Sequence, residues 1–228
     1  MSRIKLIAGS GLAVLIVSMS ASAVAQALPE WQKAKKPLTE ALHFKSHGST
    51  GQLQEGTVHI SWGSVTGKGS IEGSNKISNL SLIFGESWVS GLPKECAANS
   101  PGAKSGEVKT TELKGSIGYL VESSKLVGAL VAPASGTIVT EIEGTCLPGK
   151  VTVTGSVIGR VVSELNKPIA SVNVNFSVSS GSQEYKHFEK ESTEHSLVFN
   201  GKIEGAALFE CTREQFELEG GKKAEIKA

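Results

Sequence analysis

Residues 171–178 read Ser-Val-Asn-Val-Asn-Phe-Ser-Val, alternating small polar and apolar side chains without a break. In an extended chain successive side chains point to opposite faces. Val172, Val174, Phe176 and Val178 therefore share one face, and Ser171, Asn173, Asn175 and Ser177 share the other. That is the pattern of a strand with one buried face and one wet face. Val58, Ile60 and Trp62 repeat the same period. Short runs of similar character recur at 77–84, 108–113, 116–121, 126–131, 138–142, 151–153, 157–162, 197–199, 203–209, 216–218 and 224–226. Turn-forming clusters separate them, among them Gly67-Lys-Gly-Ser70, Pro133-Ala-Ser-Gly136, Leu147-Pro-Gly-Lys150 and Gly220-Gly221. Many short strands punctuated this way predict an all-β protein, an antiparallel sandwich or barrel. No stretch is long enough for the crossover helices of a parallel sheet. The segments Lys114-Gly-Ser-Ile-Gly and Thr154-Gly-Ser-Val-Ile-Gly echo each other. Glycine within a strand marks a bend or a close backbone approach, so the echo reads as one bending device used twice.

The N-terminus carries a different signal. Arg3 and Lys5 precede an uncharged apolar run over residues 6–19. Three small-x-small triplets follow, Ala21-Ser-Ala23, Ala23-Val-Ala25 and Ala25-Gln-Ala27. This is the layout of a cleavable export signal over residues 1–27. The run falls short of the roughly 20 residues a membrane-spanning helix needs, so no stable membrane insertion is expected after cleavage. The expected product is secreted or extracytoplasmic and soluble. Residues 28–50, with Pro29, Pro37 and the one helix-like fragment Leu38-Thr-Glu-Ala-Leu42, read as a short irregular lead-in. Residues 51–228 read as a single β-rich domain.

Composition removes several function classes. The formal net charge is +1, and lysines and glutamates are interspersed, so nothing attracts nucleic acid. Every acidic side chain is glutamate; aspartate is absent from the chain. Ser-His-Asp triads in their usual form and Asp-rich calcium loops are thereby excluded, although glutamate can stand in for aspartate at some sites. A transmembrane barrel calls for aromatic girdles, and only 5% of residues are aromatic. Cys96, Cys146 and Cys211 lie too far apart for a zinc motif, whose ligands come in close pairs. In an oxidising compartment two of the three form a disulfide, and all three pairings remain open.

Candidate chemistry is sparse. His43 and His47 share one face at metal-pair spacing but bring no third ligand, so no metal and no cofactor is expected. His187 and His195 fall in or beside the charged stretch 184–194, which reads as a solvated hairpin end. Glu141 with Glu143, and Glu217 with Glu219, are same-face strand pairs. A pair of carboxylates across a bond is what glycoside hydrolysis requires. There is no Gly-x-Ser-x-Gly elbow, and Gly67-Lys-Gly-Ser70 lacks the lead of a phosphate loop. Of the tryptophans, Trp62 is in phase with core residues, whereas Trp88 sits in the 85–90 loop as an exposed platform for a ligand.

The ordered segments Thr110-Thr-Glu-Leu-Lys-Gly-Ser-Ile-Gly-Tyr119, Val127-Gly-Ala-Leu-Val-Ala-Pro133, Val153-Thr-Gly-Ser-Val-Ile-Gly-Arg160 and Gly181-Ser-Gln183, with Leu28-Pro-Glu-Trp31 opening the mature chain, carry a likeness. Together they resemble a family of exported, signal-peptide-bearing actinobacterial proteins without an assigned activity. The resemblance implies secretion and a β-rich fold, and implies no catalytic residue. The chain departs from that family at Phe84-Gly-Glu-Ser87, where a cysteine is expected. The departure implies that Cys96 is the unpaired thiol. The function expected from all of this is a non-catalytic extracellular or cell-surface module that binds a glycan, a wall component or a protein. The alternative is a secreted glycoside hydrolase using paired glutamates.

Overall fold

The computed structural model describes residues 28–201 and 203–228. The export signal expected over residues 1–27 lies outside them. The chain begins with β1 (Glu30–Lys33), β2 (Lys36–Pro37), β3 (Leu42–Gly48), β4 (Gly51–Glu55), β5 (Val58–Trp62), β6 (Ser64–Glu72) and β7 (Lys76–Gly85). It continues through β8 (Trp88–Ser90), β9 (Cys96–Ala97), β10 (Val108–Lys109), β11 (Leu113–Val121), β12 (Leu126–Pro133), β13 (Ile138–Ile142), β14 (Val151–Gly155) and β15 (Val157–Val161). It ends with β16 (Ser171–Phe176), β17 (Val178–Ser179), β18 (Ser182–Gln183), β19 (Leu197–Asn200), β20 (Gly205–Leu218) and β21 (Glu225–Lys227). Among the described residues the single helical element is a 3₁₀ turn, Glu219–Gly221.

Eight strands form a ring in the order β16, β15, β12, β11, β7, β6, β3, β20, and β20 pairs back onto β16. Every neighbour is antiparallel. The all-β expectation is therefore met by a closed barrel, which removes the exposed edges on which chains aggregate. Strand β20 is longer than the barrel needs. Its first half leaves the barrel and pairs with β19 on one side and β4 on the other. From β4 the sheet runs on through β5, β8 and β9; from β19 it runs through β14 to β13. Asn99 and Glu143 then exchange backbone hydrogen bonds of 2.9 and 2.7 Å, linking the two ends. A second ring thus shares β20 with the first.

The strands cross between rings at bends. Thr212 and Arg213 oppose a single residue of β16, a β-bulge that turns β20 where its partners change. Ser49 and Thr50 separate β3 from β4 at the same level, with the Ser49 N–H bonded to the Arg213 carbonyl at 3.1 Å. Gly155 makes the third bend, between β14 and β15, at φ +103°. A side chain there would run into the Ser196 carbonyl. Its counterpart in the sequence echo, Gly115, sits at a register shift between β11 and β7.

Residues 28–50 are not an irregular lead-in. They supply β1, β2 and β3, and Leu38-Thr-Glu-Ala-Leu42 forms no helix. The reason is burial: Leu42, Phe44 and Ser46 alternate inward along β3, and Trp31, paired with Ile226 of β21, closes one end of the first barrel. Its neighbours there include Phe44, Ile71, Ile117 and Val161. A five-residue helical preference, worth tenths of a kcal/mol per residue, does not compete with that. Gly67-Lys-Gly-Ser70 is likewise no turn but the middle of β6. The glycines are there because the Phe44 ring and the Ser81 carbonyl occupy the space of their missing side chains.

Cys96 and Cys146 form a disulfide, and Cys211 is free and buried. The implication that Cys96 stands unpaired is thus overturned: the Asn99–Glu143 bridge lays β9 beside the end of β13, which brings Cys146 to it. The bridge closes a loop across 50 residues and pins the seam of the second ring. Loop-closure entropy for that length corresponds to about 4 kcal/mol. Reductant is expected to lower the unfolding free energy by up to that amount, read from urea midpoints with and without it. Equal midpoints would show that the seam holds without the disulfide.

Candidate functional site

The second ring carries its outward chemistry in rows. Register places Glu210, Gln52, Ser61, Trp88 and Ala97 directly opposite one another across β20, β4, β5, β8 and β9. The next row along, Phe209, Leu53, Ile60, Val89 and Cys96, points inward to the core. Strand pleating makes this separation: one step along each strand exchanges faces. A second outward row holds Leu208, Gln54, His59 and Ser90.

The outer row is polar, pre-ordered and ends in an aromatic. The Gln52 amide donates to Glu210 at 3.1 Å, and the His59 ring nitrogen Nδ1 lies 3.3 Å from the Gln52 carbonyl oxygen. Trp88 is 45% exposed, and its indole Nε1 donates to Glu95 at 3.3 Å. That bond fixes the ring while leaving its face to solvent. Trp88 lies on strand β8, not in a loop as expected from the sequence, so a sheet rather than a mobile segment holds it. From Glu210 to Trp88 the row crosses three strand spacings, roughly 14 Å. Neither outward row contains a lysine or arginine.

The other candidates separate. His43 and His47 are exposed on β3 with Lys45 between them, and His43 Nδ1 lies 2.9 Å from the Ser70 hydroxyl. Among the described residues no three His, Cys or Glu side chains are grouped to hold a metal. Glu141 pairs with Lys150 at 2.6 Å on the hairpin surface, and Glu143 is exposed beside it. Glu217 lies opposite Lys45 and lines a shallow surface groove with His47 and Glu219. Trp62 is buried, in phase with Val58 and Ile60 as its spacing predicts.

The stretch 184–194 is not a purely solvated hairpin end. His187 is exposed, but His195 is buried, with Nδ1 2.8 Å from the Ser156 hydroxyl and Nε2 3.5 Å from Glu191. The line Ser156, His195, Glu191 puts a glutamate where the sequence lacks aspartate. Here it acts as a clasp on the serine side: the Ser156 N–H is held by the Ser196 carbonyl, while the facing His195 Nε2 and Glu191 Oε2 atoms are buried without a hydrogen-bond partner. It ties the 184–196 segment to the bend after Gly155.

Two buried acids, Glu214 and Glu225, escaped the sequence reading, and Glu214 is the one that lines the interior. Glu214 is 3% exposed, on the inner face of β20, and accepts a hydrogen bond from the buried Ser46 hydroxyl. Its signal was available: it is in phase with Phe216 and Leu218, both core. Burial pushes its carboxyl up to about 7, against the opposing pull of the Ser46 hydrogen bond. Burial, with the Glu214 charge adding to it, pushes the Cys211 thiol up to about 11, so this cysteine stays protonated and unreactive.

No protein-family model, curated protein or solved structure matches the chain. Among the described residues no helix is long and apolar enough to cross a membrane.

Glu214 gives a pH signature. Unfolded, the carboxyl ionises near 4.5; folded, it stays protonated up to about 7. Its contribution is fully present below 4.5, and ionisation of the unfolded chain removes it as pH rises to 7. The shift corresponds to about 3 kcal/mol. Glu214→Gln is expected to abolish this part of the stability decline between pH 4.5 and 7, measured by urea unfolding at both values. Parallel pH profiles for variant and wild type would contradict it.

Proposed function

We propose that the chain is an exported, non-catalytic module that binds an uncharged glycan on the outer face of the second ring, at or outside the cell surface. The observation that carries this reading is the row itself: an exposed, braced Trp88 at the end of a line of amide, hydroxyl and carboxylate groups. The face of an indole covers the C–H face of a sugar ring, and side chains of this kind hydrogen-bond its hydroxyls. The roughly 14 Å row matches a stretch of about three sugar units lying across the strands. Carboxylates Glu95 and Glu210 with no cation in the rows disfavour acidic polysaccharides. The leader, the resemblance to exported proteins and the disulfide support an oxidising destination.

A glycan array followed by titration of neutral oligosaccharides into the mature protein tests the reading. Trp88→Ala is expected to weaken binding at least tenfold, with Tm unchanged because the ring is half exposed. Equal binding by the variant, or no neutral glycan bound at all, would sink the proposal.

A further inference from the structure

Where the two rings join, the interior is not filled. A cavity of about 70 Å³ lies there, walled by Leu53, Ile60, Trp62, Phe84, Phe176 and Phe209 among others. One water needs about 10–15 Å³ on this measure, so the space holds roughly five to seven heavy atoms. Its aromatic wall is ordered: Trp62 stacks on Phe209 with centroids 5.3 Å apart, and Phe84 tilts against Trp62 at 4.7 Å.

Two polar groups break the apolar lining. The Trp62 indole Nε1 is buried and has no hydrogen-bond partner. A buried donor left unpaired costs about 1–3 kcal/mol. The Glu214 carboxyl lines the same cavity and is met by the Ser46 hydroxyl. The remaining polar liners are occupied: Thr140 donates to the Lys109 carbonyl at 2.7 Å, Ser87 to the Phe84 carbonyl at 3.0 Å, and Thr110 accepts from the Leu82 N–H at 3.0 Å. Glycines admit the Trp62 and Glu214 side chains. A side chain at Gly51 would strike the Trp62 ring, and one at Gly48 would strike the Glu214 carboxyl.

We propose that this cavity is a binding site, separate from the outer face, for a small uncharged ring bearing a hydroxyl group, of which phenol is the simplest member. A flat ring extends the stack begun by Trp62 and Phe209. Its hydroxyl serves both polar groups, accepting from the unpaired indole N–H and donating to an oxygen of the Glu214 carboxyl. An ammonium cannot accept from the indole, and an ionised acid would be buried in a lining that holds no lysine, arginine or histidine to pair it.

Phenol and benzene titrated into the mature protein form the test, followed by the side-chain N–H resonances of the three tryptophans and by Tm. The Trp62 resonance is assigned by its loss in Trp62→Phe. Phenol is expected to raise Tm and move the Trp62 resonance, with benzene binding at least fivefold more weakly. Trp62→Phe keeps a ring and removes the donor, so it is expected to weaken phenol at least fivefold and leave benzene unchanged. If that variant does not fold, the phenol-to-benzene ratio on the wild-type protein still decides. A Trp62 resonance unmoved at the highest phenol concentration that keeps the spectrum native, or benzene binding as tightly as phenol, overturns the proposal; trapped water then serves the indole.

Discussion

The hydrogen bonding of β20 along both of its edges is the constraint on which the rest of the molecule depends. Four strands, β3, β4, β16 and β19, pair with this one segment. Without the β16 contact the first ring is an open sheet with two raw edges, and without β4 and β19 the second ring has no common wall. Because β20 belongs to both rings, it must turn between them. The Thr212–Arg213 bulge, matched by Ser49–Thr50 and by Gly155, is how a hydrogen-bonded ladder turns without leaving its backbone groups unpaired.

That turn has two consequences for chemistry. Inside, it leaves a joint that side chains from two rings fill incompletely, and the joint is where Glu214, Cys211 and the unpaired Trp62 nitrogen are found. Polar groups sit badly in such a place, which is why the Glu214 carboxyl holds its proton so far above its ordinary range. Outside, one register line across β20, β4, β5 and β8 carries Glu210, Gln52, Ser61 and Trp88 together. The core row beneath them, one residue out of phase, locks that line in place.

How much of this was legible depended on where the energy came from. Strand 58–62 was readable to the residue because its own alternation carries the burial signal, whereas 138–142 was readable only in its bounds, since Ile138 is exposed and Thr140 buried. Runs 203–209 and 216–218 were also readable, but not as one strand. The residues between them, Glu210 to Gln215, look like a polar break, and only the bulge lets the chain keep its pairing through them. β6 was hidden for the opposite reason. Its glycines look like a turn until the Phe44 ring is seen packed over them. Trp88 was legible as the exposed tryptophan, whereas its polar companions Gln52, Ser61 and Glu210 were not, since cross-strand register is not written in any one segment.

The sequence by itself determined the all-β class, most strand positions and the inward phase of Trp62, because period-two alternation and turn chemistry are local. It also determined what the chain lacks, above all aspartate. Only the tertiary structure decided that the sheets close into two rings, that Cys96 meets Cys146, that His195 lies between Ser156 and Glu191, and that residues 28–50 are barrel wall and plug. Each of those depends on which strand lies next to which. Pairing is settled by the joint burial of segments far apart in the chain, and no single segment carries that information.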